Sequence, residues 1–331
     1  MMGGSRGADI RSGSSPAVRT ENPIMRHRVA ASRVVSLSST CLLAVLAVCL
    51  AGCVSAPASG KAQPPSEPPL AVIDAHIHTN FGDKFFEQGQ VMDSKAELAA
   101  EMKKYNVVGA VSMNHPGDAY ADLSDLNIVQ CVGLATTVDA QRLEADLASG
   151  RFRCIKIYLG YEHQYAYDPN YEPAYRLAEK YDVPVVFHTG DTDSRKAKLK
   201  YADPLTIDEV AVDHPKVTFV LAHAGNPWIE STAEVAYKNP NVVIDGSAFL
   251  IGKLQDYPPE TLETYVVKPL RWIFGYVNDP TKLMFGTDWP LTEIGPYLEV
   301  FKRAIPKEHW KAVFHDNAAR VYGFDKHAAA K

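Results

Sequence analysis

Leu70-Ala71-Val72-Ile73-Asp74-Ala75-His76-Ile77-His78 is the stretch that decides the fold. A short apolar run ending in Asp-x-His-x-His reads as a strand that carries chemistry at its C-terminal end. Side chains at i and i+2 of a strand share a face, so rigid backbone holds His76 and His78 side by side. Two imidazoles so placed are half of a divalent metal site. Alone, they are equally compatible with two ordinary histidines at a strand end.

Three more runs repeat the arrangement. Val183-Pro-Val-Val-Phe187 ends in His188-Thr-Gly190, Val217-Thr-Phe-Val-Leu-Ala222 ends in His223-Ala-Gly225, and Lys282-Leu-Met-Phe285 ends in Gly286-Thr-Asp288-Trp-Pro290. Each is a buried-type strand with a candidate ligand at its end and Gly or Pro punctuation after it. Histidine and aspartate at the C-terminal ends of several strands is the layout of a parallel (β/α)8 barrel active site. Some 255 residues lie between Leu70 and Phe324, a usual barrel length. Eight strand-like runs fit inside them, at 71–77, 107–113, 127–134, 153–159, 183–189, 217–223, 241–248 and 282–288. Helical patterns are expected between them. The clearest begins at Asp93 or Ser94, with Glu97 in its first turn, and runs to Tyr105. The fold expected is a single-domain α/β TIM barrel over 70–325, with 326–331 as a tail.

The segment before the barrel reads differently. Residues 1–33 hold six arginines and two acids, and Val34 to Gly52 carry no charge and end in Leu50-Ala-Gly-Cys53. A basic region, an apolar region and small residues before a cysteine make residues 1–52 a secretory leader. The order Leu-Ala-Gly-Cys resembles a bacterial lipoprotein signal, in which Cys53 is acylated and becomes the mature N-terminus. The competing reading is a plain transmembrane anchor, since the apolar stretch is near the lower length for a span. Met25, followed by Arg26-His-Arg28, would give a leader of more ordinary length. Residues 53–69, rich in Pro, Ala and Ser, read as an extended tether.

The whole chain carries −5; losing a leader of +4 leaves a mature protein near −9. Such an acidic body has no basic footprint for nucleic acid. The location expected is the cell envelope, lipid-anchored, with the outer membrane mildly preferred because Val54 is not the Asp that retains some lipoproteins at the inner membrane. Cys41 and Cys49 leave with the leader, so only Cys131 and Cys154 stay in the body. Sequence leaves a disulfide open; the expectation is two small buried hydrophobes.

As a set, Asp74-Ala-His76-Ile-His78, the His188 strand, His223-Ala-Gly225, Phe285-Gly-Thr-Asp288-Trp-Pro290 and His315-Asp-Asn317-Ala-Ala-Arg320-Val-Tyr-Gly323 resemble the amidohydrolase superfamily. Within it, they look like the amidohydrolase-related branch that includes aminocarboxymuconate-semialdehyde decarboxylase and many metal-dependent hydrolases. The resemblance runs from about Ala71 to Gly323. It implies that His76, His78, His188 and Asp288 hold one divalent ion, with zinc expected, though nitrogen and oxygen donors suit iron(II) and manganese(II) too. It also implies that His223 is not a ligand but a proton carrier or charge stabiliser beside the reacting groups, and that Asp288 doubles as proton acceptor. Some superfamily members place a carboxylated lysine bridging two metals where Lys156 stands; a substrate-binding or ion-pair role is the preferred alternative. Tyr158, His115, Trp228 and Trp289 are further pocket candidates, with Asp245 and Ser247 as weaker positions at the end of the seventh strand.

The activity expected is hydrolysis of a small ester, lactone or amide by a metal-activated water. A non-oxidative decarboxylase of a small carboxylate is the nearest rival, because the branch contains both. An inactive solute-binding lipoprotein is the rival outside enzymes.

Overall fold

The structure, a computed structural model, describes residues 69–81 and 94–324. Eight strands follow one another in chain order: β1 (Val72–Ile77), β2 (Val107–Met113), β3 (Ile128–Leu134), β4 (Phe152–Ile157), β5 (Val185–His188), β6 (Phe219–Ala222), β7 (Val242–Asp245) and β8 (Leu283–Met284). Every neighbouring pair is parallel. The segment after β8 returns to β1. Ala75 N–H donates to the Phe285 carbonyl at 2.9 Å, Asp288 N–H to the His76 carbonyl at 2.8 Å, and His78 N–H to the Trp289 carbonyl at 2.7 Å. These bonds close the (β/α)8 barrel, so the fold is the one expected. The expected leader with Cys53, the tether up to residue 68 and the C-terminal tail lie outside the described residues.

Helix α1 (Lys95–Lys104) starts where its sequence sets it. The Ser94 hydroxyl accepts from Glu97 N–H at 3.2 Å and Glu97 Oε2 accepts from Ser94 N–H at 3.1 Å, a reciprocal cap. Helices α2 (Ala140–Ala148), α3 (Glu172–Tyr181), α4 (Thr206–Asp213) and α5 (Ile229–Lys238) fill the next crossovers. The long connection before β8 holds α6 (Pro259–Leu262), a π-helical stretch Glu263–Val267 and α7 (Lys268–Val277). Helices α8 (Ile294–Lys302) and α9 (Asn317–Val321) follow β8. No helix lies between β2 and β3, against expectation. Pro116 and Gly117 interrupt that segment, and its aspartates turn the chain instead: Asp118 accepts from His115 N–H at 2.5 Å and Asp122 from Ser124 N–H at 3.0 Å.

Strand periodicity divides each strand between two environments. Phe187, Phe219, Leu221, Ile244 and Leu283 belong to the core between strands and helices. Val111, Cys131, Cys154, Val186, Val220, Val243 and Met284 fill the barrel interior, with Tyr322 and Phe324 packed against them. Continuing two residues along the interior face places Lys156 above Cys154, His188 above Val186, Asp245 above Val243 and Gly286 above Met284. The interior is apolar below and polar at the C-terminal end of the strands.

Cys131 and Cys154 form a disulfide, which corrects the expectation of two unpaired thiols. They are register partners on β3 and β4, with Cα atoms 4.4 Å apart and both side chains in the barrel interior. Register between strands separated by a helix is not readable from spacing, so the pairing was hidden.

Candidate metal centre and active-site cavity

Asp74 begins the site. Its carboxylate accepts from His76 N–H at 3.1 Å, from Thr287 N–H at 3.0 Å and from the Thr287 hydroxyl at 2.6 Å. It therefore pins β1 to the segment after β8. Burial raises its carboxyl to about 8, against the pull of those three bonds. On that pinned frame Asp288 takes a positive φ of 64° and turns its carboxylate to the end of β1. Asp288 Oδ1 lies 3.1 Å from His78 Nε2 and 3.5 Å from His76 Nε2. One donor atom from each of His76, His78 and Asp288 falls within 4.8 Å of the others.

Asp245, at the end of β7, orients this group. Its Oδ2 is 2.5 Å from His76 Nδ1 and its Oδ1 accepts from Ser247 N–H at 2.9 Å. A carboxylate on Nδ1 fixes the proton there and leaves the Nε2 lone pair directed at Asp288. His76 Nε2 is buried and has no hydrogen-bond partner among the described residues. Gly286 makes room for this contact: a Cβ there would stand 2.5 Å from Asp245 Oδ1 and 3.1 Å from His76 Cβ.

His188 and His223 form the second half of the site. His188 Nε2 is 2.8 Å from the Asp191 carbonyl, His188 Nδ1 is 3.1 Å from His223 Nε2, and His223 Nδ1 is 3.0 Å from Ser247 Oγ. Both rings are neutral at pH 7. Burial and the Lys156 charge hold His188 at about 3, and burial takes His223 well below the usual histidine range despite Asp288 nearby. Directions along the chain then follow by elimination. A carbonyl only accepts, so His188 Nε2 carries the proton and its Nδ1 accepts. His223 Nε2–H donates to it, and the Ser247 hydroxyl donates to His223 Nδ1.

The electrostatics suit a cation. Burial and Lys156 lower His76, opposed by Asp245 and Asp288. Burial would raise Asp288, but His76, His78 and His223 outweigh it and hold the carboxyl well below the carboxylate range. Two imidazoles and an ionised carboxylate converging on one point, with His76 Nε2 buried and without a hydrogen-bond partner among the described residues, fit a divalent ion. The cavity above them measures about 450 Å³. Its floor holds His76, His78, Lys156, His188, His223 and Asp288, one wall is Phe249, Leu250, Ile251 and Leu291, and Asp191 and Asp193 line it too.

The sequence-derived candidates divide accordingly. His76, His78 and Asp288 converge as a trio; His188 is not in that trio but lines the same cavity beside His223. Lys156, Tyr158 and His115 line the cavity, with His115 stacked on Tyr158 at 4.1 Å between ring centres. Trp289 does not. The chain turns at Asp288, whose φ is 64°, and the Trp289 ring packs into the outer core near Phe81. Trp228 does not line the cavity either, because the chain has already turned there toward α5. The orienting role of Asp245 and Ser247 was missed, although Asp245-Gly-Ser247 carries the same mark as the other strands: a polar residue and glycine at a strand's C-terminal end.

Solved structures with this fold are distant in sequence. An uncharacterised TIM-barrel protein from Bordetella bronchiseptica is 18% identical with a TM-score of 0.59, covering 77% of this chain and 99% of its own. A probable 2-pyrone-4,6-dicarboxylic acid hydrolase from Acinetobacter baumannii is 14% identical with a TM-score of 0.57, covering 78% and 100%. A dihydroxybenzoic acid decarboxylase from a Polaromonas species, with bound manganese, is 14% identical with a TM-score of 0.56, covering 77% and 98%. No curated protein matches the sequence. The amidohydrolase family model matches residues 73–324, which take in β1 with its two histidines, Asp288 and the closing helix α9; this chain is a member of the amidohydrolase family.

Proposed function

We propose that this protein is a metal-dependent hydrolase of small esters, lactones or amides, with His76, His78, His188 and Asp288 holding one divalent ion. The observation that carries the reading is the convergence of His76, His78 and Asp288 beneath a cavity with His223 at its floor, 4.7 Å from His76 between ring centres. A bound divalent ion would supply Lewis-acid chemistry, polarising a carbonyl and lowering the pKa of a water to near ~7. The donor set suits zinc, our assignment, and also manganese(II) or iron(II). His188 joins through Nδ1, the nitrogen left as acceptor by the Asp191 carbonyl on Nε2. That frees the His223 Nε2–H to donate to the oxygen that gains negative charge. Asp288, ionised at neutral pH, accepts the proton that the attacking water releases.

The experiment is a pair of substitutions. Asp288→Ala should lose bound metal and activity together. His223→Ala should keep the metal and lose ~10²–10⁴ in rate, the scale of a positioned acid or base. A metal-free His223→Ala protein, or one that turns over substrate at the wild-type rate, refutes the roles. The decarboxylase rival has one specific support, that similar structures include both hydrolases and decarboxylases; a panel of neutral esters, lactones and carboxylated rings separates the two. A folded protein that binds metal and turns over none of these would be the solute-binding rival.

We place the protein in the bacterial envelope, held by acylated Cys53. The Cys131–Cys154 disulfide supports an oxidising compartment. Mass spectrometry of the mature N-terminus tests this: an acylated Cys53 is expected, and a start elsewhere with a free thiol refutes it.

A further inference from the structure

Lys156 is left over from the chemistry above. It sits on β4, its side chain is fully buried, and its Nζ has no hydrogen-bond partner among the described residues although it lines the cavity. The nearby acids are engaged elsewhere: Asp245 on His76 and Ser247, Asp74 on Thr287 and His76, Asp288 on His78. Tyr158, whose ring centre is 5.1 Å from Nζ, gives its hydroxyl to the Met113 carbonyl at 3.2 Å. The Tyr158 ring face offers Nζ a cation–π contact but no acceptor, and a buried ammonium whose three donors lack acceptors is costly. The same cavity is also lined by the apolar side chains Phe249, Leu250, Ile251 and Leu291.

We propose that Lys156 is the anchor for a carboxylate on the substrate, so that the site selects amphiphilic acids: a reacting carbonyl over His76, His78 and Asp288, a free carboxylate on Nζ, and an apolar body along Phe249–Ile251. This rests on the reading of the cavity as the active site and narrows its substrate class from neutral esters and amides to those bearing a carboxylate. It assigns Lys156 to substrate rather than to a second metal ion.

The test is binding, independent of turnover, on the purified metal-loaded protein. Titration calorimetry compares benzoate with the uncharged isostere benzamide in wild type, Lys156→Met and Lys156→Gln, with metal content measured in each. Wild type should prefer benzoate by ~10–100-fold, the scale of one charge-assisted hydrogen bond. Both variants should lose that preference, keep benzamide binding, and keep the wild-type metal stoichiometry. Two variants of different polarity guard against misfolding of one, and retained benzamide binding reports an intact cavity. Equal binding of the two probes by wild type, or an undiminished benzoate preference in either folded variant, overturns the proposal. So does loss of one of two ions per chain on replacing Lys156, the mark of a carboxylated bridging lysine. If benzoate binding depends on Lys156 while no ester, lactone or amide is hydrolysed, the anion site stands and the hydrolase reading fails. If carboxylate-bearing esters are hydrolysed equally by wild type and Lys156→Met, the reverse holds.

Discussion

Asp245→Asn is the perturbation that most directly probes how the metal centre is held. Asp245 is fully buried and accepts two hydrogen bonds, from His76 Nδ1–H through Oδ2 and from Ser247 N–H through Oδ1. Asparagine has the same shape but one acceptor oxygen. In one orientation its NH2 faces the Ser247 N–H; in the other it faces His76 Nδ1 and forces that proton to Nε2, the nitrogen directed at Asp288. The first outcome leaves a donor facing a donor, at a cost of about 1–3 kcal/mol; the second keeps both hydrogen bonds but puts a proton on the nitrogen that should ligate the metal. Loss of the carboxylate behind a ligating histidine typically lowers metal affinity about 10–100-fold, which is about 1.4–2.8 kcal/mol at 1.4 kcal/mol per factor of ten. The assay is competition between the protein and a chelator of known zinc affinity, with circular dichroism to show that the variant is folded. A folded Asp245→Asn protein that binds zinc as tightly as wild type would refute the orienting role and, with it, the assignment of His76 Nε2 as the ligand atom.

Three further outcomes follow from the same contacts. Ser247→Ala removes the hydroxyl donor on His223 Nδ1, so the Nδ1–H tautomer of His223 should gain population; 15N spectra of the metal-free protein read this, and unchanged His223 nitrogen shifts would disprove the hydrogen-bond directions drawn here. Replacing Cys131 by Ala should lower unfolding free energy by about 3 kcal/mol, the loop-entropy value for a separation of 23 residues, and unreduced wild type should show no free thiol at Cys131 or Cys154 by mass spectrometry. Burial lowers the Lys156 ammonium from 10.5 to about 8, with Asp245 and Asp288 opposing. Between pH 8 and 10.5 the unfolded chain therefore holds a proton that the folded chain has released, and stability rises with pH across that window. Thermal unfolding should show Lys156→Met more stable than wild type at pH 7, with the advantage shrinking from pH 8 to 10.5; a constant gap would count against a strained ammonium.

Most of the fold was legible because a parallel barrel is written in local signals. Each strand is an apolar run with punctuation, and the polar residue at its C-terminal end faces the barrel mouth whatever the neighbouring strands do. His76, His78, His188, His223 and Asp288 were all readable in this way, and all line one cavity. What stayed hidden depends on relations between strands. The Cys131–Cys154 bond needs the register of β3 against β4. The exclusion of Trp289 depends on the left-handed turn at Asp288, beyond the regular part of β8 at Leu283–Met284. The role of Asp245 needs the distance from β7 past the short β8 to β1. The missing helix between β2 and β3 is a different failure: local Asx turns and a Pro-Gly pair overrode the general expectation of a crossover helix, and those residues were readable.

The division of the barrel interior explains why so many ionisable groups can be buried at one end. Asp74, Lys156, Asp245 and Asp288 are all within the buried core, and each would be costly in an apolar layer. The lower interior, with Val111, Val186, Val220, Val243 and the Cys131–Cys154 bond, carries the hydrophobic packing that offsets that cost. The upper interior keeps its ionisable groups by dividing them among roles. Asp74 is spent on backbone closure, Asp245 on aligning His76, and Asp288 on the cation. Lys156 Nζ has no hydrogen-bond partner among the described residues, and Lys156 stands directly above the half of the disulfide that ties β4 to β3. The disulfide two residues below holds β4 against β3, and Lys156 is fully buried at the end of that strand. The unfavourable burial is thus retained in the folded protein as a preorganised site for an anion.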